Sequence, residues 1–299
     1  MRMMVCGGAG FVGSHLTDRL LAEGHDVDVV DSLTTGSITN LSGARAATGR
    51  FKLQNVAVES PEFAELVSVR RPEVMFDLVS MSPSMCHLSG GLQSVKVATT
   101  ILEAARLASV SKVVSCLPAA LLYGEAKAKD LPVKEGHPSE PRTAAEVFAR
   151  AIAALHAVYS DRHGVDHTVL AVSNVYGPRQ RPEDGVVAAF VAALDAGKPP
   201  LVHGTGKQTR DFVYIDDVVD ALVRSVDRGG GHVLNIGTGV ATSVRDLWGL
   251  MAGVSALAPR AGSVRPDDIV RLSLSPVRAR IQLGWSPFTK LRDGLQSLR

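Results

Sequence analysis

Residues 3–16, MMVCGGAGFVGSHL, decide the fold. An apolar run from Met3 to Cys6 stops at Gly7-Gly8-Ala9-Gly10, and Phe11 opens an amphipathic stretch that ends on Gly24, a helix C-cap residue. In the order strand, glycine turn, helix, the turn lets backbone approach a pyrophosphate, and the helix aims its free N–H groups and dipole at that anion. The glycines fit GxxGxxG from Gly7 and GxGxxG from Gly8, so Gly7, Gly10, Phe11, Val12 and Gly13 form the expected cradle. A second apolar run, DVDVVD (26–31), ends in Asp31 and is followed by Ser32. A carboxylate there would accept hydrogen bonds from an adenosine ribose and repel a 2′-phosphate, which favours NAD over NADP. The bland alternative, glycines serving only a tight turn, leaves the strand, the helix and Asp31 as coincidences.

Working outward, FKLQNV (51–56), EVMFDLV (73–79), KVVSCL (112–117) and HTVLAV (167–172) read as further strands. Helical patterns lie between some of them, at 92–108 and 143–164. Such alternation implies βαβ units. The fold class expected is α/β, a Rossmann-type doubly wound parallel sheet with a smaller C-terminal α/β substrate lobe. From about Asn174 the chain turns loop-rich, with helical patterns at 215–226 and 241–252. The expected boundaries are 1–175 for the Rossmann domain, to which 208–238 returns, and 176–299 for the lobe.

Composition excludes several classes. The 299 residues are 45% hydrophobic and 21% charged, which is soluble and globular. A net charge of +2 gives no field for nucleic acid or an anionic membrane, and no apolar run is long enough to span one. The start MRMMVCGGAG enters the glycine loop at once, leaving no room for a signal peptide. Cys6, Cys86 and Cys116 are odd in number and far apart, so neither a disulfide framework nor a metal site is expected, and the setting expected is cytoplasmic.

GGAGFVGSHL (7–16), DSLTTG (31–36), LEAAR (102–106), LLYG (121–124), NVYGPRQ (174–180), GTGKQTRDFVYIDDVVDAL (204–222), NIGTG (235–239) and LGWSP (283–287) together resemble the extended short-chain dehydrogenase/reductase family, in its nucleotide-sugar epimerase and dehydratase branch and UDP-galactose 4-epimerase-like members above all. The resemblance runs nearly end to end. It implies bound NAD, a nucleotide diphosphate sugar in the 176–299 lobe, and a homodimer through a four-helix bundle of helices 92–108 and 143–163. By register it places Val79 and Ser80 beside the cofactor and assigns Arg210 and Arg265 to the diphosphate. Asn174 matches a residue that hydrogen-bonds the diphosphate, and Asp268 one that contacts the ribose. A fixed cation is what a diphosphate requires. The structural alternatives are a surface pair of Arg210 with Asp211 or Asp216, and a solvated loop charge for Arg265.

The chemistry implied by the resemblance is hydride transfer from a sugar carbon. It needs a base: a Tyr acidified by a Lys four residues on, with a Ser or Thr beside it. Ala119, Arg142 and Glu146 occupy those three positions. Ala57 replaces an Asp expected against the adenine, and Asp77-Leu78-Val79-Ser80 replaces a His-Ala-Ala segment. Thr143-Ala144-Ala145-Glu146 instead reads as a capping box, with Glu146 favoured at the positive end of a helix. Arg142 is left for solvent or an anion in the cleft. Tyr123, Glu125, Ser80, Ser82, His87 and Cys116 fall near the cleft by register without making a catalytic set, and Met75, Met81 and Met85 read as packing. The first expectation is an NAD- and nucleotide-sugar-binding member lacking the usual Ser/Tyr/Lys chemistry. The alternatives are an active epimerase or dehydratase with a rearranged acid/base set, and a protein that only dimerises with an active relative.

Overall fold

The computed structural model describes residues 1–47, 50–80, 88–252, 257–265 and 268–298. The expectations for Met81, Ser82, Met85, Cys86 and His87 lie outside the described residues. Strands run β1 (Arg2–Cys6), β2 (Asp26–Val30), β3 (Phe51–Gln54), β4 (Val74–Asp77), β5 (Lys112–Pro118), β6 (Asp166–Val172), β7 (Asn174–Tyr176), β8 (Leu201–His203), β9 (Thr209–Arg210), β10 (Phe212–Tyr214), β11 (His232–Ile236), β12 (Thr242–Ser243) and β13 (Arg260–Gly262). Helices run α1 (Phe11–Ala22), α2 (Ser42–Arg45), α3 (Pro61–Arg70), α4 (Leu88–Leu107), α5 (Ala119–Tyr123), α6 (Ala144–His163), α7 (Val186–Asp195), α8 (Ile215–Arg224), α9 (Val244–Ala252), α10 (Val277–Leu283) and α11 (Leu291–Gln296).

The apolar runs with no polar alternation become strands buried on both faces, as a parallel sheet under two helical layers requires. The seven-stranded sheet has the order β11-β6-β5-β4-β1-β2-β3, and its pairs are parallel. Leu16, Leu20, Val218 and Leu222 of α1 and α8 pack on one face, and Phe63, Val97, Ile101 and Leu102 of α3 and α4 on the other. This is the doubly wound Rossmann arrangement. Met75 lies in the core of the second face. β11 extends the sheet through β6, long after residue 175. The remaining short strands pair outside it, and α7, α9 and α11 close a separate small core of Phe190, Leu247, Trp248 and Leu295.

Two stretches differ from their sequence patterns. The helical pattern expected at 92–108 starts earlier: α4 begins at Leu88 and contains Gly90 and Gly91. A Cβ on Gly91 would lie 2.1 Å from Phe148 Cδ2, so this glycine marks where α4 touches α6 rather than a break in the chain. The second is VVAAFVAALD, which the loop-rich surroundings hid. It forms α7, and Val187, Ala188 and Phe190 are buried.

Candidate functional site

The glycine turn works by contact. Gly7 has φ +83°, and a Cβ there would sit 3.0 Å from Val79 Cγ2. A Cβ on Gly13 would sit 2.2 Å from Gly7 O, so α1 can approach β1 this closely only without a side chain. No side chain caps α1 at Gly10, which leaves its first N–H groups free to face a ligand. Asp31 accepts from Ala9 N at 2.9 Å and Leu33 N at 2.8 Å, one to each oxygen. Each oxygen keeps a second lone pair for a ribose.

These groups open onto a cleft of about 570 Å3. Gly7, Gly10, Phe11, Val12, Gly13, Asp31, Ser32, Val79, Cys116 and Asn174 line it. Val56, Val58 and Glu59, and Leu117, Pro118, Val172 and Ser173 line it as well. The cradle and the free N–H groups fit a dinucleotide pyrophosphate. The position noted for adenine, Ala57, is not among the lining residues, and its neighbours Val56 and Val58 are.

Several register-based expectations land elsewhere. Ser80 is buried, does not line the cleft, and bonds its hydroxyl to Asp77 Oδ2. Tyr123 is also absent from the lining; its hydroxyl donates to Asn235 Oδ1 at 2.6 Å inside the fold. Glu125 accepts from Val270 N at 2.6 Å, which ties it to the 270 segment. Cys116 lines the cleft, but burial pushes its thiol well up, away from the nucleophilic thiolate.

Among the substrate-side residues, Arg210 and Asp268 bond directly to each other, and Asp268 N donates to Arg265 O at 3.2 Å. The three therefore share one neighbourhood, outside the residues that line the cleft. Asn174 connects it to the cleft, since Asn174 N donates to Asp211 O at 2.9 Å, one residue from Arg210. The Arg210–Asp211 surface pair does not form. Asp211 is buried and accepts from Thr238, Gly239 and Leu274 instead. Arg265 is exposed.

The resemblance puts Ala119, Arg142 and Glu146 at the three positions of the usual chemistry. Ala119 is fully buried at the start of α5. Arg142 is exposed. Glu146 is buried and reaches back to accept Arg142 N at 2.8 Å, while Glu146 N donates to Thr143 Oγ1 at 3.3 Å. The reciprocal bonds of a capping box are both made, with the return bond falling one residue before the N-cap. Thr143→Ala should therefore destabilise the protein by about 1 kcal/mol in chemical denaturation, and Glu146→Gln by less, because Gln still accepts. A loss above about 3 kcal/mol for Glu146→Gln would mean that its charge matters beyond the cap.

The segment Arg179-Gln180-Arg181 with Asp184 also lines the cleft, and sequence reasoning passed over it. Arg179 Nη2 bonds Asp18 Oδ2 of α1 at 2.8 Å, and Arg181 holds Asp184 by two bonds of 2.7 and 2.8 Å. The signal available was three long polar side chains directly after NVYGP.

The profile of the NAD dependent epimerase/dehydratase family matches residues 3–237. A protein of Mycolicibacterium smegmatis named UDP-glucose 4-epimerase is 39% identical over 309 residues, covering 99% of this chain and 96% of that one. The UDP-glucose 4-epimerase of Thermotoga maritima, solved with UDP-glucose, superposes with a TM-score of 0.92 at 30% identity, over 100% of this chain and 97% of that one. The Thermus thermophilus UDP-glucose 4-epimerase, solved with NAD, gives 0.89 at 28% identity, over 100% and 99%.

Proposed function

Because the chain belongs to the NAD dependent epimerase/dehydratase family, we propose that it holds NAD and a nucleotide diphosphate sugar together without the family's usual Ser/Tyr/Lys turnover. The observation that carries this is Glu146 folded back as a helix cap, with Ala119 and Arg142 where a hydroxyl and a phenol are needed. NAD, when bound, supplies a hydride acceptor. Gly7, Gly10 and Gly13 with the N-terminal N–H groups of α1 would hold its pyrophosphate, and Asp31, with Ser32 beside it, its adenosine ribose. Val79 would pack against the other half. Asn174, Arg210, Arg265 and Asp268 would hold the nucleotide sugar, with Arg210 exchanging its partner Asp268 for the diphosphate. In this scheme residues 1–175 and 208–238 carry the cofactor and 176–299 the sugar nucleotide.

The same reading places two copies side by side in the cytoplasm. α4 and α6 pack on each other within one chain and leave Leu92, Leu107, Val147 and Val158 exposed for a second copy. Among the described residues no helix is long and apolar enough to cross a membrane.

A second reading, an active epimerase or dehydratase using a rearranged acid/base set, is favoured by the 39% identity to a protein named UDP-glucose 4-epimerase. One experiment separates the two. The protein is incubated with NAD and a panel of UDP-, dTDP- and GDP-sugars, and binding, products and NADH absorbance are followed. Binding is expected, with Arg210→Ala weakening it roughly ten- to a hundred-fold through loss of a charge-assisted bond. No product is expected. Turnover near about 1 s⁻¹ would establish the second reading instead.

A further inference from the structure

Asp77 stands at the end of β4 and is 1% exposed. Its hydrogen-bond partners are Val79 N at 3.1 Å and Ser80 N at 3.0 Å on Oδ1 and Ser80 Oγ on Oδ2, and Ser115 of β5 stands beside it as its register partner. Ser115 Oγ lies 2.9 Å from His156 Nε2. The direction of that bond decides whether the Ser115 hydroxyl hydrogen is free. His156 Nδ1 is buried with no partner among the described residues. An orphaned buried N–H is rarer and costlier than an orphaned lone pair, which assigns the ring proton to Nε2. Nε2 then donates to Ser115 Oγ, which leaves the hydroxyl hydrogen of Ser115 for another acceptor, and Asp77 is its neighbour across the β4–β5 pair. A carboxyl that accepts from three donors is favoured as the carboxylate. Burial raises the Asp77 pKa above the ordinary carboxylate value, and the donors act against that rise.

The sheet order says what that charge faces. Asp31, at the end of β2, marks the adenosine half of a dinucleotide, so the ends of β4, β5 and β6, across the switch between β1 and β4, serve the nicotinamide half. Leu78 and Val79, directly after Asp77, line the cleft, as do Cys116 and Pro118 at the end of β5. We propose that Asp77 selects the redox form of the cofactor: a buried negative charge beneath the nicotinamide end favours the cationic oxidised ring over the neutral reduced one, so the protein holds NAD in preference to NADH. The inference rests on the cofactor reading above. It makes Asp77 a specificity-determining residue, and it agrees with a protein that holds NAD without drawing hydride onto it.

The test is calorimetric affinity for NAD and for NADH, measured on the wild-type protein, Asp77→Asn and Ser115→Ala. The wild type is expected to bind NAD more tightly. Asp77→Asn is expected to lower that preference about ten-fold, equivalent to about 1.4 kcal/mol. Ser115→Ala removes one hydrogen bond and leaves the charge, so both affinities should move together and their ratio should stay within about two-fold, under about 0.5 kcal/mol. A merely structural role for Asp77 would also move both together. A ratio unmoved by Asp77→Asn overturns the inference while leaving NAD binding intact. So does a wild type that binds NADH as tightly as NAD, which decides the matter even if the Asn variant does not fold. Failure of the wild type to bind either form overturns the cofactor reading and this inference together.

Discussion

A Gly13→Ala protein is expected to lose NAD binding and most of its stability. The added methyl would lie 2.2 Å from Gly7 O and 2.7 Å from Gly8 Cα, both backbone atoms that cannot swing aside. Relief requires α1 to move off β1, which opens the turn that cradles the pyrophosphate and disturbs the packing of Leu16 and Leu20. Overpacking of this kind against backbone belongs to the small class of substitutions that cost more than about 4 kcal/mol, against a typical total of about 5–15 kcal/mol. Gly10→Ala is the matched control. Its Cβ would meet Gly7 O at 3.2 Å, and its φ of −76° suits any residue, so a shift of a few tenths of an ångström accommodates it. The expected result in urea denaturation is a large fall in midpoint for Gly13→Ala and a loss of about 1 kcal/mol for Gly10→Ala. Calorimetry should show no NAD affinity for the former. A Gly13→Ala protein with a near-wild-type midpoint and intact affinity would show that the contact relaxes at little cost.

The cradle was legible because its physics is local. Turn glycines, a flanking strand and a helix start lie within a dozen residues, and the acid expected at the ribose follows the next strand. The cap at Thr143 and Glu146 was legible for the same reason, being a contact between residues three apart. What sequence pattern did not disclose is long-range. The partner of Arg210 is Asp268, 58 residues away, and nothing near TRDFVY points to it over its neighbours Asp211 and Asp216. Gly91 stands just outside the helical pattern expected at 92–108 and is understood as a helix contact only once Phe148 is placed beside it. The resemblance named Arg210, Arg265 and Asp268 together, and only coordinates show Arg210 paired with Asp268. Asp77 is the sharpest case. In sequence it is a departure from a motif; its three donors come from its own turn, while Ser115 on β5 and, through Ser115, His156 on α6 stand behind it only in the fold.

That helix also gives the protein an acid limb to its stability. His156 of α6 is 1% exposed and packs 5.8 Å from the ring of His167 on β6. Burial, reinforced by His167, lowers its pKa from the ordinary value to about 3. In the unfolded chain the same group titrates near 6.5. The neutral ring is thus favoured by the fold. This contribution is fully present above pH 6.5 and is lost as pH falls through that value toward 3. The expected loss is about 2 kcal/mol at pH 5 and about 4 kcal/mol at pH 3 from this residue. Asp77, Asp211 and Asp217 oppose it, because burial raises their pKa values and protonation at low pH favours their folded forms. The comparison therefore belongs between proteins rather than between pH values alone. His156→Gln keeps an N–H for Ser115 and cannot titrate. It should be somewhat less stable than the wild type at pH 8, yet lose distinctly less between pH 7 and pH 5, so the two stability curves converge as pH falls, by about 2 kcal/mol over that interval. Urea unfolding followed at half-unit steps of pH would measure this. Parallel curves would show that water or structural relaxation solvates the His156 imidazolium in the folded state, and that the sheet and α6 do not exclude the proton.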